Sequence, residues 1–237
     1  MTVASASIPE RTNRVLAGAL LAMHFIVLIV VPLSGMPPTA MAACLATLAL
    51  AGPTQWALIH EAIHGMLLPQ RGANRVLGRA LAGCFGAPFR ALRFAHLRHH
   101  RYNRTPQGRE ETYDPKIRSR GVAFMQHYLR IGIGLYAGEL ALNLLCWLPP
   151  RLLRPHLCRL CPDFADGTPG MAGVAERELF DRAVLREMRL DAFLVLALYT
   201  IAFALYARHW PLLLTFLATR GFLASQFDHA PHHATPL

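Results

Sequence analysis

The sequence predicts an all-α integral membrane protein, with about four transmembrane helices in two hairpins, interfacial helices and a cytosolic cap carrying three histidine clusters. Three observations carry that reading. Hydrophobic residues make up 54% of the 237 residues, and mean hydropathy is +0.30. The apolar residues run in blocks: Val15 to Ser34, Met36 to Ile59, Ala192 to Ala207 and Trp210 to Thr219 hold no Asp, Glu, Lys or Arg. At ~1.5 Å rise per residue the first two are long enough to cross a bilayer core, and the second two complete another pair. The arginines are the third observation. Arg11 and Arg14 precede the first block, Arg71 to Arg104 follow the second, and Arg151 to Arg189 precede the third. No charge separates the first two blocks, and only Arg208 and His209 separate the last two. This positive-inside layout puts both termini and the long central segment in the cytoplasm.

The elements follow in order. Residues 1–13 form a polar start, and 14–237 a single membrane domain. The first block is too long for a cleaved signal peptide, lacks a small-residue cleavage site, and is followed closely by a second block. A turn at Gly35 to Pro38 joins the two, since Pro37 and Pro38 cannot sit inside a helix. The second helix runs on past the membrane edge to the first histidine cluster, with a kink at Pro53. Residues 72–95 mix Arg79, Arg90 and Arg93 with Leu, Ala and Phe, broken by Pro88, and read as an interfacial or half-inserted segment. Residues 122–148 are apolar but hold Arg130 and Glu139; a full crossing would put the next arginines outside, so an interfacial or re-entrant helix is expected. Pro162 to Gly173 is a loop. Glu176 to Arg189 begins a charged helix that enters the third span, and the fourth span ends directly at the third cluster.

The net charge of +10 could suit a nucleic-acid surface, but arginines confined to one side of the spans argue against it and fit anionic lipid headgroups instead. The five cysteines give no disulfide framework. Cys158 and Cys161, beside His156, form a lone C-x-x-C, half of what a closed zinc knuckle needs.

The chemistry lies in the histidines. His60-Glu61-Ala62-Ile63-His64, His96-Leu97-Arg98-His99-His100 and His229-Ala230-Pro231-His232-His233 hold eight of the 12 histidines. Positions i, i+3 and i+4 share a helix face, so such a cluster can aim several imidazoles at one point. Neutral imidazole is the commonest protein ligand for zinc, iron and copper, and eight imidazoles exceed what one ion needs. The topology brings all three clusters to the cytoplasmic ends of the spans. The first cluster also reads as H-E-x-x-H, in which His60 and His64 bind zinc and Glu61 is the general base of an intramembrane metalloprotease; that leaves the other six histidines without work. The bland readings are a solvated basic face at His96 to His100 and a non-catalytic membrane protein with histidine-rich loops. Pro231 breaks the helix of the third cluster, and Asp228 adjoins it.

Together the three clusters resemble the membrane fatty acid desaturase and hydroxylase superfamily, whose pattern of H-x(3,4)-H, H-x(2,3)-H-H and H-x(2,3)-H-H appears here as HEAIH, HLRHH and HAPHH. The continuation HHRYN and Asp114-Pro115 agree with bacterial members. The resemblance covers residues 15–237. It implies an enzyme performing oxygen-dependent desaturation or hydroxylation of a lipid acyl chain, with two non-haem iron ions as cofactor. His60, His64, His96, His99, His100, His229, His232 and His233 carry over as metal ligands, and Glu61, Asn103, Asp114 and Asp228 as supporting residues. Molecular oxygen, a lipid or acyl substrate and a separate electron-donor protein are the expected partners, because the chain shows no flavin, haem or ferredoxin motif. One departure stands out. Many relatives carry a further box beyond the position of the third cluster, whereas this sequence stops at Leu237, four residues past His233. The resemblance therefore implies a C-terminally truncated product or a span-associated motif at His229.

Overall fold

The computed structural model describes residues 8–102, 119–129, 132, 135–152 and 178–229. Every regular element among them is helical. Helix α1 (Glu10–Phe25) continues through a π-helical stretch, Ile26–Val30, into a last turn, Val31–Leu33. Then follow α2 (Pro38–Leu50), α3 (Gly52–His64), α4 (Arg71–Phe85), α5 (Phe89–Tyr102), α6 (Arg120–Leu129), α7 (Leu135–Leu145), α8 (Arg182–Tyr206) and α9 (Trp210–His229). Among the described residues three helical stretches are long and apolar enough to cross a membrane: Glu10–Leu33, Pro38–His64 and Arg182–Phe227. Their outward faces are apolar. Phe25, Ile201 and Phe193 are each more than half exposed, which suits lipid rather than water.

The first span folds back against the second: Asn13 Nδ2 donates to Leu67 O at 2.9 Å, while Ala17 and Leu20 share a core with Leu58, Ile59 and Ala62. Two prolines shape this hairpin. Pro32 has no N–H, so in the π register the carbonyl of Val27, five residues earlier, loses its donor. The hydroxyl of Tyr206 replaces it at 2.9 Å. Pro53 interrupts the second span, which breaks between α2 and α3 at Ala51.

The stretch Arg182–Phe227 also reverses. Tyr199 Oη and Arg220 Nη2 lie 2.6 Å apart, although 21 residues of straight helix would separate them by about 31 Å. The turn is the 3₁₀ segment Ala207–His209, where Ala207 takes φ 44°. Asp181 opens α8, accepting from the backbone N–H of Ala183 and Val184, the side-chain cap expected at a helix start. α9 then runs beside α2 and α3 in their direction. Leu213 and Phe216 share a core with Leu45 and Leu48, and the Arg220 side chain lies against Gly52.

The segment read from sequence as interfacial is two helices and an elbow. α4 ends at Gly86, whose φ of 100° is the left-handed conformation that glycine adopts freely. Gly86 N–H donates to Gly83 O and Ala87 N–H to Ala82 O, a Schellman closure, and Pro88 then starts α5. The end of α4 is buried in the bundle, so its last carbonyls need donors from elsewhere. Arg220 donates to Cys84 O at 3.0 Å and Phe85 O at 2.8 Å. Tyr199 donates to Cys84 O, Tyr136 to Phe85 O and Asn143 to Gly86 O. Arg220 is fully buried, hydrogen-bonds both tyrosine hydroxyls, and sits 4.6–5.8 Å from the ring centres of Phe216, Phe85, Tyr136 and Tyr199.

Replacing Arg220 by Leu removes one of the two donors to Cys84 O and to Phe85 O, which keep Tyr199 and Tyr136, and breaks the bonds to both hydroxyls in an apolar interior. At about 1.5–3 kcal/mol per hydrogen bond to a charged group, losing the bonds to the two carbonyls alone gives an expected loss of at least ~3 kcal/mol, read as a clear fall in the unfolding midpoint in detergent. An unchanged midpoint would show that the clamp is dispensable.

Candidate metal centre

His60 and His64 occupy the last turn of α3 and its end. Gly65, with φ 77°, closes the helix immediately afterwards: its N–H donates to Ala62 O, and Met66 N–H to Glu61 O. The loop beyond is held by a buried amide. Asn74 Oδ1 accepts from the N–H of Leu67 and Leu68 at 3.0 and 3.1 Å, and its Nδ2 donates to Ala62 O at 2.9 Å. Gln55, one helical turn below His60, donates to Leu81 O on α4. The first pair of histidines therefore stands on a fixed helix end.

The second pair arrives on α5, whose direction is set by the elbow and by two ties. Asp191 on α8 accepts from Arg79 Nε at 2.7 Å and from the backbone N–H of Arg90 at 3.4 Å, which places a carboxylate at the positive end of α5. Arg93 Nε donates to Ile63 O at 3.3 Å, tying α5 to the α3 turn that carries His64. Two turns of α5 then present His96 and His100 on the face turned towards α3.

The four imidazoles converge. Ring centres of His60 and His64 lie 4.6 Å apart, His60 and His96 4.6 Å, His96 and His100 4.5 Å, and His64 and His100 5.0 Å. One ring nitrogen from each can be chosen so that all four lie within 4.8 Å of one another. An ion bound by imidazoles at about 2.1 Å sets adjacent nitrogens roughly 3.0–3.4 Å apart and opposite ones about 4.2 Å apart. The donor set fits a transition metal after a small inward adjustment. Nε2 of His96 and His100 are 2.9 Å apart, close to the spacing of neighbouring positions on one ion. His96 is buried, with the edge of Trp56 against it at 6.3 Å between ring centres. Glu61 Oε1 lies 3.5 Å from His60 Nδ1, where a carboxylate can orient a ligating ring.

The other sequence-nominated residues are placed less fully. His99 lies on the α5 backbone, and Asp228 and His229 on the last turn of α9; their side chains are outside the described residues, as are Asn103, Asp114, His232 and His233 in their entirety. The parallel course of α9 and α3 brings the end of α9 to the end of the bundle that carries His60. The residues that sequence reasoning passed over are buried polar ones within the helices: Asn13, Gln55, Asn74, Asn143 and Arg220. For Gln55, Asn143 and Arg220 the signal was a polar group in an apolar run, which lipid makes costly unless it has work to do; Asn13 and Asn74, each beside an arginine, gave no such signal.

A sequence model of the fatty acid desaturase family matches residues 34–237, most of the chain and all three histidine clusters. The chain belongs to the fatty acid desaturase family. No curated protein and no solved structure matched it. Membership makes this desaturase-family chain an oxidoreductase acting on lipid, and its long apolar helices make it a membrane protein. His60, His64, His96 and His100 converge into a group that could hold a metal ion.

If the four-imidazole cluster binds metal, His96→Ala removes a buried donor and lowers affinity for Co(II), a spectroscopic stand-in for iron, by about 100-fold or more. Helix content by circular dichroism should not change. Undiminished Co(II) uptake by the variant would remove α5 from the centre.

Proposed function

We propose that this chain carries out oxygen-dependent desaturation or hydroxylation of a lipid acyl chain at two non-haem iron ions held by His60, His64, His96, His99, His100, His229, His232 and His233. The observation that carries the reading is the meeting of the first two clusters at a single point, on helix ends, within a chain of this family. Four imidazoles suffice for the shell of one ion, and the remaining clustered histidines supply a second. Alkyl C–H bonds do not yield to side-chain acids or bases, so the oxidising power comes from the bound iron with molecular oxygen.

The chain's own groups do the rest. Neutral imidazoles offer lone pairs to a metal without adding charge. Glu61 holds the His60 ring, and Asp228, Asn103 and Asp114 act as further supporting groups. Trp56 closes the site on one side of His96. The reversal at Ala207–His209 supports reading Arg182–Phe227 as two crossings, giving four crossings in two hairpins. The arginine layout supports a cytoplasmic centre, with a separate protein delivering electrons there. Desaturation then consumes two electrons and two protons along with oxygen, removes two substrate hydrogens and releases two waters; hydroxylation releases one water and leaves one oxygen atom on carbon.

The zinc-protease reading of His60-Glu61-x-x-His64 assigns Glu61 the proton transfer, whereas the oxygenase reading gives it a supporting part. Glu61→Gln is expected to slow lipid conversion by no more than ~10–100-fold, while His64→Ala abolishes it. The assay is mass spectrometry of lipids from a host expressing each variant, scoring loss of two hydrogens or gain of one oxygen. A Glu61→Gln variant as inactive as His64→Ala, with no lipid product from the unaltered chain, would favour the hydrolase.

A further inference from the structure

α9 is pinned beside α3 at one close contact, and that contact fixes the height of its end. A Cβ built on Gly52 would lie 3.1 Å from Cγ of Arg220, so the first turn of α3 and the Arg220 turn of α9 stand at one level. From there the two helices run the same way. His60 is eight residues beyond Gly52, and His229 is nine beyond Arg220. At ~1.5 Å per residue these are rises of about 12 Å and about 13.5 Å, so the backbone of His229 comes level with the turn that carries His60. Gly221 sets the sideways distance. It is buried against Tyr136 of α7: a Cβ there would lie 3.0 Å from Cβ of Tyr136, 2.8 Å from its Cγ and closer still to Cδ1. Separate carbon atoms normally approach to about 3.5–4.0 Å, so only glycine lets α9 come this near. Tyr136 is buried, and hydrogen bonds to Phe85 O and Arg220 hold its ring in place. The buried stripe of α9 runs Leu213, Phe216, Arg220, Gly221, Ala224 and Ser225, and positions 228 and 229 come next in that three-and-four spacing.

We infer that Gly221 is a positioning residue for the second metal ion: by letting α9 close on Tyr136, it brings the His229 turn alongside the four imidazoles of α3 and α5. This role rests on the two-ion reading proposed above and deepens it. The donors of the first ion stand on α3 and α5 and do not need α9 in place, whereas those of the second do. The two ions therefore differ in what they ask of the fold, and a change at Gly221 separates them. Alanine is a better helix former than glycine, so Gly221→Ala leaves α9 helical while its methyl group pushes the helix away from Tyr136.

The test counts Co(II) bound per full chain by equilibrium dialysis in a non-ionic detergent. It compares the unaltered chain, Gly221→Ala, and Gly221→Ala combined with Tyr136→Ala. The unaltered chain should take up two ions. Gly221→Ala should hold the first with unchanged affinity and the second about tenfold or more weaker. Removing the Tyr136 ring makes room for the added methyl group, so the double variant should bind the second ion more tightly than Gly221→Ala alone, a gain that misfolding cannot produce. Metal-free protein gives an independent readout. Nitroxide labels at Thr54 and Phe222, both exposed, in a cysteine-free background, should move apart by about 1 Å in Gly221→Ala and return in the double variant. Undiminished binding of both ions by Gly221→Ala, equal weakening of both, or an unchanged label separation overturns the positioning role alone. An unaltered chain that binds one ion or none sinks the two-ion reading itself, and the role with it.

Discussion

Everything at the centre depends on how a buried helix end is satisfied where water is scarce. α4 stops inside the bundle, and the carbonyls of Cys84, Phe85 and Gly86 point into a region with little to offer them. Arg220, Tyr136, Tyr199 and Asn143 supply the donors. These come from α9, α7 and α8, so one cap gathers three elements around one elbow. A charge at this depth is expensive. Here five acceptors, counting the two hydroxyls and His24 at 3.4 Å, and the faces of four aromatic rings offset the cost. With the elbow fixed, α5 has one direction to leave in, and that direction meets the end of α3.

The same logic recurs along the bundle. Tyr206 serves the carbonyl that Pro32 leaves open in α1. Asn74 and Asn13 serve the loop after His64, and Gln55 serves α4. Each is a side chain that reaches a backbone group outside its own helix. The histidine centre inherits its rigidity from them: His60 and His64 stand on a turn pinned by Asn74, and His96 and His100 on a helix pinned by the elbow, Asp191 and Arg93. A metal centre with ligands on separate helices needs this support, because imidazoles held loosely lose affinity and geometry together.

The sequence makes much of this legible. Uncharged blocks mark the apolar helices, and the first two clusters mark the histidines that the fold brings together, because a histidine repeat at i and i+4 near helix ends has few bland explanations. The break at Ala51 was readable from Pro53. The π-helical stretch was not, since Pro32 signals a defect in α1 without saying how it is repaired; the repair lies in Tyr206, far along the chain. Arg220 was visible only as the charge that ends an apolar run. Its partners at 84, 85, 136 and 199 follow no local period, so its role emerges only once the helices are packed. The arginines at 71, 75, 79, 90 and 93 counted at first towards topology and a lipid-headgroup surface, because the elbow that joins them into one cavity depends on the positive φ of Gly86.

Metal analysis of the purified chain bears most directly on the central claim. Expressed with iron available and analysed without added metal, the protein should carry close to two irons per chain, with a Mössbauer spectrum typical of nitrogen-ligated non-haem iron. One tightly held zinc per chain, with iron absent even after anaerobic reconstitution, would contradict the account.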